Sequence, residues 1–298
     1  MTSPVDDLIN VLQLERLEKN LFRGESRDIG SPRVFGGQVL GQALSAAQQT
    51  VHGRTVHSLH AYFLRPGDVA APIVYDVDRS RDGRSFTSRR VVAIQHGQQI
   101  FHMAASFQVE ESGFEHQDPM CDVPPPEELA SAADYNPDGE IPEKLSRFVT
   151  RQRPFEFRPV QPPAFVTTEK QPPRQQTWFR VVDRLPDEPD LHRTMLSYVS
   201  DYSLVGTATL PHGISFLESN VQVASLDHGM WFHRYARVDD WLLYDCDSPS
   251  ASGSRGLARG QIYTRDGTLV ASTIQEGLIR VWSLKEAREQ HRRNRKKK

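Results

Sequence analysis

Three polar residues in the C-terminal half of the chain stand within apolar segments, where their side chains could do chemistry. Asp201 interrupts the stretch LSYVSDYSLV, Ser225 follows the strand-like run VQVA, and Gln275 lies within LVASTIQEGLIR. A buried carboxylate needs hydrogen-bond partners, so a nearby hydroxyl and amide would complete a coherent water-binding triad. Each residue taken singly is better explained as a cap, a satisfied core group or a solvent-facing residue. The sequence therefore predicts a water-binding site only if the fold brings the three together.

The stretch NVQVASLDHGMWFHR, residues 220–234, also contains side-chain types that bind metals. Its two histidines, His228 and His233, are five positions apart, which places them on opposite faces of a strand and about 140° apart on a helix. Asp227 and His233 share a strand face but would lie about 20 Å apart. Neither an HExxH nor a CxxC motif is present. We therefore expect no metal site here and interpret both histidines as bracing the strand and its aromatic neighbours.

Covalent catalysis and nucleotide chemistry find no support in the sequence. There is no G-x-S-x-G nucleophile motif, and neither a G-x-G-x-x-G nor a P-loop motif follows a strand. Cys246 is flanked by Asp245 and Asp247, which disfavour a thiolate, and Cys121 lies in a proline-rich segment. Both cysteines are interpreted as structural or incidental, and no cofactor is expected.

Composition restricts the class of protein further. The 298 residues are 38% hydrophobic and 25% charged with a net charge of −2, as in a soluble globular protein. No apolar run approaches the ~20 residues of a membrane span, the N-terminus does not resemble a signal peptide, and two cysteines cannot build a disulfide framework. We therefore expect a cytoplasmic protein without stable membrane association. Eight Lys/Arg against two Glu in residues 285–298 predict a basic, disordered tail, for which no nucleic-acid partner is expected.

A repeat with a constant offset of 167 positions indicates a duplicated domain. Residues 56–108 and 223–275 share an order of strand-like segments, so that VHSLHAYF corresponds to VASLDHGM. Each unit begins with a helical pattern, at residues 36–51 and 192–210, and continues with β-branched and aromatic segments joined by Gly-containing turns. Small residues in the first helix would let other elements approach closely. One apolar helix wrapped by an antiparallel sheet, twice, is an α+β architecture.

The distribution of prolines sets the predicted domain boundaries. Twelve of the twenty prolines lie between Pro119 and Pro173, where fixed φ angles and missing N–H donors exclude a continuous helix or central strand. We expect a short helix in EIPEKLSRFVT and an edge strand in FEFRPV within this stretch. The predicted units are an N-terminal repeat at residues 1–118, a proline-rich linker at 119–150, a C-terminal repeat at 151–284 and the basic tail at 285–298.

Motifs from both units resemble the acyl-CoA thioesterase II family, whose members have a double hotdog fold. The similarity covers nearly all of the chain from Leu14 to Arg280 and includes VFGGQVLGQAL, HSLHAYFLRPGD, SDYSL, PHGISFLE, LDHGMWFHR and LVASTIQEG. The resemblance implies two tandem repeats, each with an antiparallel sheet wrapped around a central helix. It also implies hydrolysis of fatty acyl-CoA to free acid and CoA by direct attack of water. The implied partners are the acyl-CoA substrate and, because hotdog sheets often continue across subunits, further copies of the chain in a homo-oligomer.

The family's catalytic residues correspond to Asp201 in SDYS, Ser225 in ASLDH and Gln275 in STIQEG. The resemblance implies that Asp201 acts as general base or orients the water, while Ser225 and Gln275 hold that water in line with the thioester carbonyl. Relatives usually have Thr at the hydroxyl position, and Ser keeps the donor and acceptor but loses the methyl group that restricts χ1. The first repeat keeps Ser58 and Gln108 but has no Asp in VFGGQVLGQAL, so its equivalent site is predicted to be lost.

Two details and two alternatives stay open. The oxyanion needs N–H donors, for which a helix N-terminus is a candidate. Phe35, Tyr62, Phe63 and Trp231 are candidates for an apolar acyl tunnel, although core packing explains them equally well. A hotdog enoyl-CoA hydratase or dehydratase would use an Asp/His or Glu/His pair, so a histidine converging on Asp201 would favour that reaction. In a non-catalytic acyl-CoA-binding protein, the same Asp would be only a structural cap.

Overall fold

The chain folds around one antiparallel sheet. A computed structural model describes residues 3–31, 33–134, 154–162, 169–215 and 220–283. Within these ranges the α-helices are α1 (Pro4–Leu12), α2 (Gly36–Gln48) and α3 (Pro189–Ser200), and 3₁₀ helices lie at Pro126–Glu128, Ala132–Asp134 and Val205–His212. The strands described are β1 (Glu15–Glu18), β2 (Leu21–Gly24), β3 (Thr55–Phe63), β4 (Ile73–Asp82), β5 (Phe86–Gln95), β6 (Gln98–Gln108), β7 (Phe155–Pro159), β8 (Arg174–Val181), β9 (Val221–Ser225), β10 (Asp227–Phe232), β11 (Leu242–Ser252), β12 (Arg255–Thr264) and β13 (Leu269–Val281).

The order of the strands reproduces the duplication seen in the sequence. Along the sheet the order is β1-β2-β4-β5-β6-β3-β10-β13-β12-β11-β8-β7, and β9 pairs with β13. The meander β4-β5-β6 corresponds to β11-β12-β13, and β3 corresponds to β9 together with β10. The two units meet where β3 pairs with β10, with Gly229 opposite His60. The segment FEFRPV supplies the predicted edge strand, β7, at one end of the sheet.

Helices α2 and α3 lie side by side in an antiparallel pair. Near one end the Thr194 hydroxyl donates a hydrogen bond of 2.8 Å to Oε1 of Gln48, and near the other end Gly37 lies against Tyr198. A Cβ atom on Gly37 would lie 2.2 Å from the carbonyl oxygen of Tyr198, so this approach requires glycine. The small residues of α2 therefore permit the close contact that the sequence predicts.

The second helix is shorter than the sequence predicts. It begins at Pro189, where proline suits the first helical turn, and ends at Ser200 instead of reaching residue 210. Asp201 is the C-terminal cap residue, and Ser203 has a φ of 63°, a left-handed conformation that interrupts the helix. Most of the remaining predicted residues form the 3₁₀ helix Val205–His212.

The first helix also stops short of its predicted end. It ends at Gln48, and the hydroxyl of Thr50 donates a hydrogen bond of 2.8 Å to the carbonyl oxygen of Ala47, one of the carbonyls that a helix end leaves without a helical partner. The connection from α2 to β3 then covers only residues 49–54, whereas the connection from α3 to β9 covers residues 201–220. The two units therefore differ most in the segment that follows the helix.

Part of the proline-rich segment packs on the second unit. Side chains of β11 alternate between two apolar clusters, so that Leu242 faces the main core while Leu243 faces a smaller cluster with Trp178. Residues 120–129 cover this smaller cluster, and Nε1 of Trp178 donates a hydrogen bond of 3.0 Å to the carbonyl oxygen of Pro124. The described part of the linker is thus held against the sheet.

Two predicted features lie outside the described residues. These are the short helix in EIPEKLSRFVT and the basic tail at residues 285–298. Among the helices that are described, none is both long and apolar enough to cross a membrane.

Candidate active site

Asp201, Ser225 and Gln275 come together at the C-terminal end of α3. The side-chain amide of Gln275 donates a hydrogen bond of 2.6 Å from Nε2 to Oδ1 of Asp201. The Ser225 hydroxyl and the backbone N–H of Gly37 also donate to this carboxylate. The three residues singled out in the sequence therefore form one hydrogen-bonded cluster, to which the first unit adds a glycine.

An interruption in strand pairing aims these side chains at Asp201. Strand β13 pairs with β10 before Gln275 and with β9 after it, so this residue lies where the partner strand changes. Ser225 ends β9 directly opposite Gly277. Asp227, the first residue of β10, accepts the N–H of Glu276 at 2.6 Å and closes the gap. A break in strand pairing of this kind turns side chains toward a direction that they could not take in a regular strand.

The Asp201 carboxylate is shielded from water, with only 5% of the side chain exposed. Burial raises the pKa of Asp201 to about 6, while the hydrogen bonds from Gln275, Gly37 and Ser225 favour the ionised form and limit the rise. The carboxylate is therefore ionised at neutral pH and more basic than an exposed Asp. Both properties suit a general base.

The N-terminus of α2 points at the same carboxylate. A Cβ atom on Gly36 would lie 2.6 Å from Oδ2 of Asp201, so glycine leaves the room that the carboxylate occupies. The residue before the helix, Phe35, makes no side-chain capping bond, and the N–H of Gly37 is directed instead to the carboxylate of Asp201. The positive end of the helix dipole favours negative charge at this place. Asp201 and any anion formed beside it therefore face a favourable electrostatic field.

His228 is a member of the cluster that the sequence analysis missed. Its Nδ1 atom lies 3.9 Å from Oδ1 of Asp201, and its Nε2 atom lies 3.0 Å from the hydroxyl oxygen of Ser200. Burial lowers the pKa of His228 to about 3, so the ring is neutral and does not form an ion pair with Asp201. The interpretation as a strand brace is therefore incomplete. The sequence does contain a sign that His228 could join the site, namely its position three residues after Ser225. In a regular strand this odd separation places the two side chains on opposite faces, but an interrupted strand lets them face the same side.

The other residues weighed as metal ligands have separate partners. Asp227 accepts the backbone N–H of Glu276, and Nε2 of His233 lies 2.9 Å from the hydroxyl oxygen of Ser272. In the described part of the chain, no three His, Cys, Asp or Glu side chains are grouped closely enough to hold a metal ion.

Comparison with known proteins identifies the family. A model described as the acyl-CoA thioesterase N-terminal domain matches residues 23–108, and a model described as acyl-CoA thioesterase matches residues 148–278. The acyl-CoA thioesterase 2 of Haemophilus influenzae is 44% identical over 283 residues, which cover 94% of this chain and 99% of that protein. The chain belongs to the acyl-CoA thioesterase II family.

Further members agree in sequence and structure. The human acyl-coenzyme A thioesterase 8 is 42% identical over 282 residues, covering 91% of this chain and 88% of that protein. The crystal structure of an acyl-CoA thioesterase II from Mycobacterium marinum has 44% identity and a TM-score of 0.76, covering 93% of this chain and 99% of that one. An Alicyclobacillus acidocaldarius protein described as having a hot dog fold has 19% identity and a TM-score of 0.74, covering 93% of this chain and 99% of that one, which bears on the fold alone. The double hotdog fold is confirmed.

In this member of the family a small pocket lies beside Tyr202, the residue that follows Asp201 in the chain. Val199 and Tyr202, which flank Asp201 in the chain, line it together with Phe157 and Phe179 from the neighbouring strands. Its free volume is about 20 Å³, enough for about one water molecule. An acyl chain would need these side chains to separate.

The four aromatic residues considered for an acyl tunnel fall into two groups. Phe35 lies beside the site, with its ring centroid 4.6 Å from that of Tyr202, and Phe63 lies at the N-terminus of α2. Tyr62 and Trp231 are instead 53% and 36% exposed on β3 and β10. Because successive strand residues point to opposite faces, Tyr62 and Phe63 cannot line one tunnel. Only Phe35 and Phe63 stay candidates.

The first unit has no carboxylate at the corresponding position. The residue that caps α2, in the place that Asp201 takes after α3, is Gln49. Arg89 binds this end of α2, donating from Nε to the Thr50 hydroxyl at 2.8 Å and from Nη2 to the Thr50 carbonyl at 3.1 Å. Asp82 pairs with Arg89 at 2.6 Å. The end of α2 thus has no acid at the cap position, and the loss of the site in the first repeat stays a prediction.

Both thiols are poor nucleophiles in this structure. Burial raises the pKa of Cys246 well above its usual range, and Asp245 and Asp247 raise it further. Burial also raises the pKa of Cys121 to about 11, with a smaller contribution from Asp245. These environments agree with the interpretation of both cysteines as structural or incidental.

Proposed function

We propose that this protein hydrolyses fatty acyl-CoA thioesters to the free acid and CoA by direct attack of a water molecule. The observation that carries the proposal is the buried carboxylate of Asp201, which accepts hydrogen bonds from Gln275, Ser225 and Gly37 and whose pKa is raised to about 6. The relatives named as acyl-CoA thioesterases, at 42% and 44% identity, support the substrate class. The raised pKa values of both thiols support a route without a cysteine nucleophile.

Asp201 acts as the general base in this mechanism. It removes a proton from the water while the water oxygen forms a bond to the thioester carbonyl carbon. The negative charge that develops on the carbonyl oxygen is stabilised by the N–H of Gly36 and by the positive end of the α2 dipole, since the N–H of Gly37 is directed to Asp201. The carbon–sulfur bond then breaks, and the departing CoA thiolate takes the proton held by Asp201. Because a thiol of ordinary acidity can leave as the thiolate, breaking the carbon–sulfur bond needs little assistance from a separate acid.

Ser225 and Gln275 position the base. Both side chains donate to the Asp201 carboxylate, so they fix its orientation and favour its ionised form. They thereby act on the water through Asp201, since the carboxylate that they hold determines where the water is bound. We place the acyl chain in the pocket beside Tyr202 and Phe157, which requires these side chains to separate because its free volume is about 20 Å³.

The hydratase alternative has one observation in its favour, the approach of His228 to Asp201. The ring, however, has its pKa lowered to about 3, and its Nε2 atom is bonded to Ser200. A neutral, buried imidazole of this kind is a weak proton donor or acceptor near neutral pH. Addition of water to an enoyl-CoA, measured by loss of the conjugated absorbance, would favour the hydratase if it exceeded thioester cleavage.

Assembly and location are part of the same proposal. Tyr62 and Trp231 are large, exposed aromatic residues on the adjacent strands β3 and β10, which supports a homo-oligomer formed through this face of the sheet. We assign the protein to the cytoplasm on its composition. The division into repeats at residues 1–118 and 151–284 is supported by the separate family matches at 23–108 and 148–278.

Release of CoA from palmitoyl-CoA, followed with a thiol reagent, tests the proposed function. The wild-type protein is expected to release CoA well above background, and Asp201→Asn to lower kcat by about 10²- to 10⁴-fold. Asp240→Asn is the matched control, because that carboxylate is 65% exposed on the surface. Binding of acyl-CoA without any release would contradict hydrolysis and favour the non-catalytic acyl-CoA-binding alternative. Unchanged kcat in Asp201→Asn would contradict the role of the base.

A further inference from the structure

The two ring nitrogens of His228 have different surroundings. Nε2 is anchored 3.0 Å from the Ser200 hydroxyl, whereas Nδ1 is buried and has no hydrogen-bond partner among the described residues. His228 as a whole is 1% exposed, and its Nδ1 atom lies 3.9 Å from Oδ1 of Asp201. A buried polar atom without a partner costs free energy, so this nitrogen calls for a specific explanation.

The hydrogen bonds of Ser200 determine the tautomer of the ring. The Ser200 hydroxyl donates its one proton to the carbonyl oxygen of Ser197 at 2.9 Å. It can therefore only accept from His228, so the ring proton is on Nε2. Nδ1 then carries a lone pair that faces Asp201. Two acceptors face each other across 3.9 Å, and a donor placed between them would satisfy both.

The distance between these two acceptors fits one water molecule. Two hydrogen bonds of about 2.8 Å that span 3.9 Å meet at an angle of about 90°, close to the angle between the two O–H bonds of water. An ionised carboxylate can accept about four hydrogen bonds, and Gln275 donates one of them to Oδ1 of Asp201. Ser225 and Gly37 also act on this carboxylate, and together the three groups leave it able to accept a further bond from a water.

We propose that Nδ1 of His228 is the second acceptor for the hydrolytic water and thereby a positioning residue for the reaction; this inference rests on the proposed function. The water donates one O–H to Asp201, which removes that proton, and the other O–H to His228. Both protons are then directed away from the substrate, so a lone pair of the oxygen points at the thioester carbonyl. His228 keeps no proton from the reaction, and its low basicity fits this passive role.

Two substitutions separate the functions of the two nitrogens. The amide oxygen of Asn in His228→Asn lies near the place of Nδ1 and keeps an acceptor for the water, but it loses the bond to Ser200. The longer side chain in His228→Gln places its amide nitrogen near Nε2, keeping the bond to Ser200 while losing the acceptor. A purely structural role predicts that His228→Gln is the better replacement, whereas the proposed role predicts the reverse.

The experiment measures kcat and KM of both variants with palmitoyl-CoA, and their thermal unfolding. We expect His228→Gln to lose about a hundredfold in kcat with KM unchanged, and His228→Asn to retain kcat within about fivefold, even where its unfolding temperature is lower. The opposite order, or equal kcat values in the two variants, would overturn the proposal while leaving hydrolysis by Asp201 intact. Failure of the wild-type protein to cleave the thioester would instead overturn the proposed function and this inference with it.

A measurement on the unaltered protein covers the case in which a variant does not fold. With ¹⁵N-labelled histidine, the NMR shifts of His228 should show a proton on Nε2 and none on Nδ1 from about pH 5 to 8. Addition of a non-hydrolysable thioether analogue of acyl-CoA should shift the Nδ1 resonance more than that of Nε2. A proton on Nδ1 would overturn the proposal.

Discussion

Nε2 of Gln275 lies 2.6 Å from Oδ1 of Asp201, which joins the interior of strand β13 to the residue that caps helix α3. The two residues are 74 positions apart in the chain, and the hydrogen bond fixes a helix end against the sheet that packs on it. The cap residue of a helix is otherwise among its more mobile positions. The pairing therefore gives the carboxylate a fixed direction, as the proposed reaction requires.

The pH dependence of turnover is expected to follow Asp201. Since the base must be ionised and its pKa is raised to about 6, kcat/KM should fall about tenfold per pH unit below about pH 6 and level off above it. The profile is measured with palmitoyl-CoA from about pH 4.5 to 8.5 in buffers of constant ionic strength. A midpoint near the ordinary value of an exposed Asp would contradict the buried base, and the acidic limb should be absent from any residual activity of Asp201→Asn.

The hydroxyl of Ser225 is expected to tune this midpoint. It donates to the carboxylate and lowers the pKa of Asp201, so Ser225→Ala should move the midpoint of the kcat/KM profile upward by about one pH unit. Ser225→Thr keeps the donor and should leave the midpoint in place, with kcat within about threefold of the wild type. Equal midpoints in the Ala and Thr variants would mean that the hydroxyl does not act on the carboxylate.

Substitution of two adjacent glycines should have different main effects, on turnover at Gly36 and on stability at Gly37. A Cβ on Gly36 meets Oδ2 of Asp201 at 2.6 Å and displaces a side-chain end, so Gly36→Ala should fold but lose at least tenfold in kcat. A Cβ on Gly37 meets the backbone carbonyl of Tyr198 at 2.2 Å and pushes the helices apart, so Gly37→Ala should lose about 1–3 kcal/mol of stability.

Gly113→Ala serves as the control for both glycine variants, because a Cβ there meets nothing within 4 Å. Turnover and thermal unfolding are measured for all three. Full activity of Gly36→Ala would show that the Asp201 carboxylate tolerates displacement. An unchanged unfolding temperature for Gly37→Ala would contradict the tight contact between α2 and α3.

The same carboxylate should lower the stability of the protein at neutral pH. The pKa of Asp201 is about 6 in the folded protein and near 3.8 when unfolded, so between these values the unfolded chain releases the proton first. The contribution of Asp201 is thus fully present below about pH 4 and is lost as pH rises through about 6, a difference of about 3 kcal/mol.

Comparison with Asp201→Asn isolates this effect from the other titrating groups. The stability of the wild type relative to the variant should decrease by about 3 kcal/mol between about pH 4 and pH 7.5, measured by urea unfolding at each pH. A relative stability that stays constant, or rises with pH, would contradict a raised pKa of Asp201.

The sequence was sufficient to predict the architecture and to indicate three residues that the structure brings together. The strands follow from β-branched and aromatic segments, and the offset of 167 positions pairs the meanders of the two units correctly. That Asp201, Ser225 and Gln275 would converge was predicted from the resemblance, because their separations along the chain do not indicate how close they lie in space. The structure brings them into one hydrogen-bonded cluster.

Other features depend on contacts that no local pattern encodes. His228 faces Asp201 because the partner strand of β13 changes next to Gln275. A regular strand, in which successive side chains alternate between the two faces, would direct His228 away from Asp201. The role of Gly36 and Gly37 arises from the antiparallel packing of α2 against α3, which joins residues from the two halves of the chain. The early end of the second helix reflects the left-handed Ser203, whose conformation the helical spacing of the apolar residues around it does not reveal.

Helix α2, which has no carboxylate at its own C-terminal cap, contacts with its N-terminus the Asp201 carboxylate of the other repeat. Separate repeats could build this cluster only as two identical subunits, each with both parts. In the single chain the second unit supplies Asp201 and the first supplies Gly36 and Gly37, while the cap residue of α2 is Gln49. Neither repeat alone therefore contains the complete cluster.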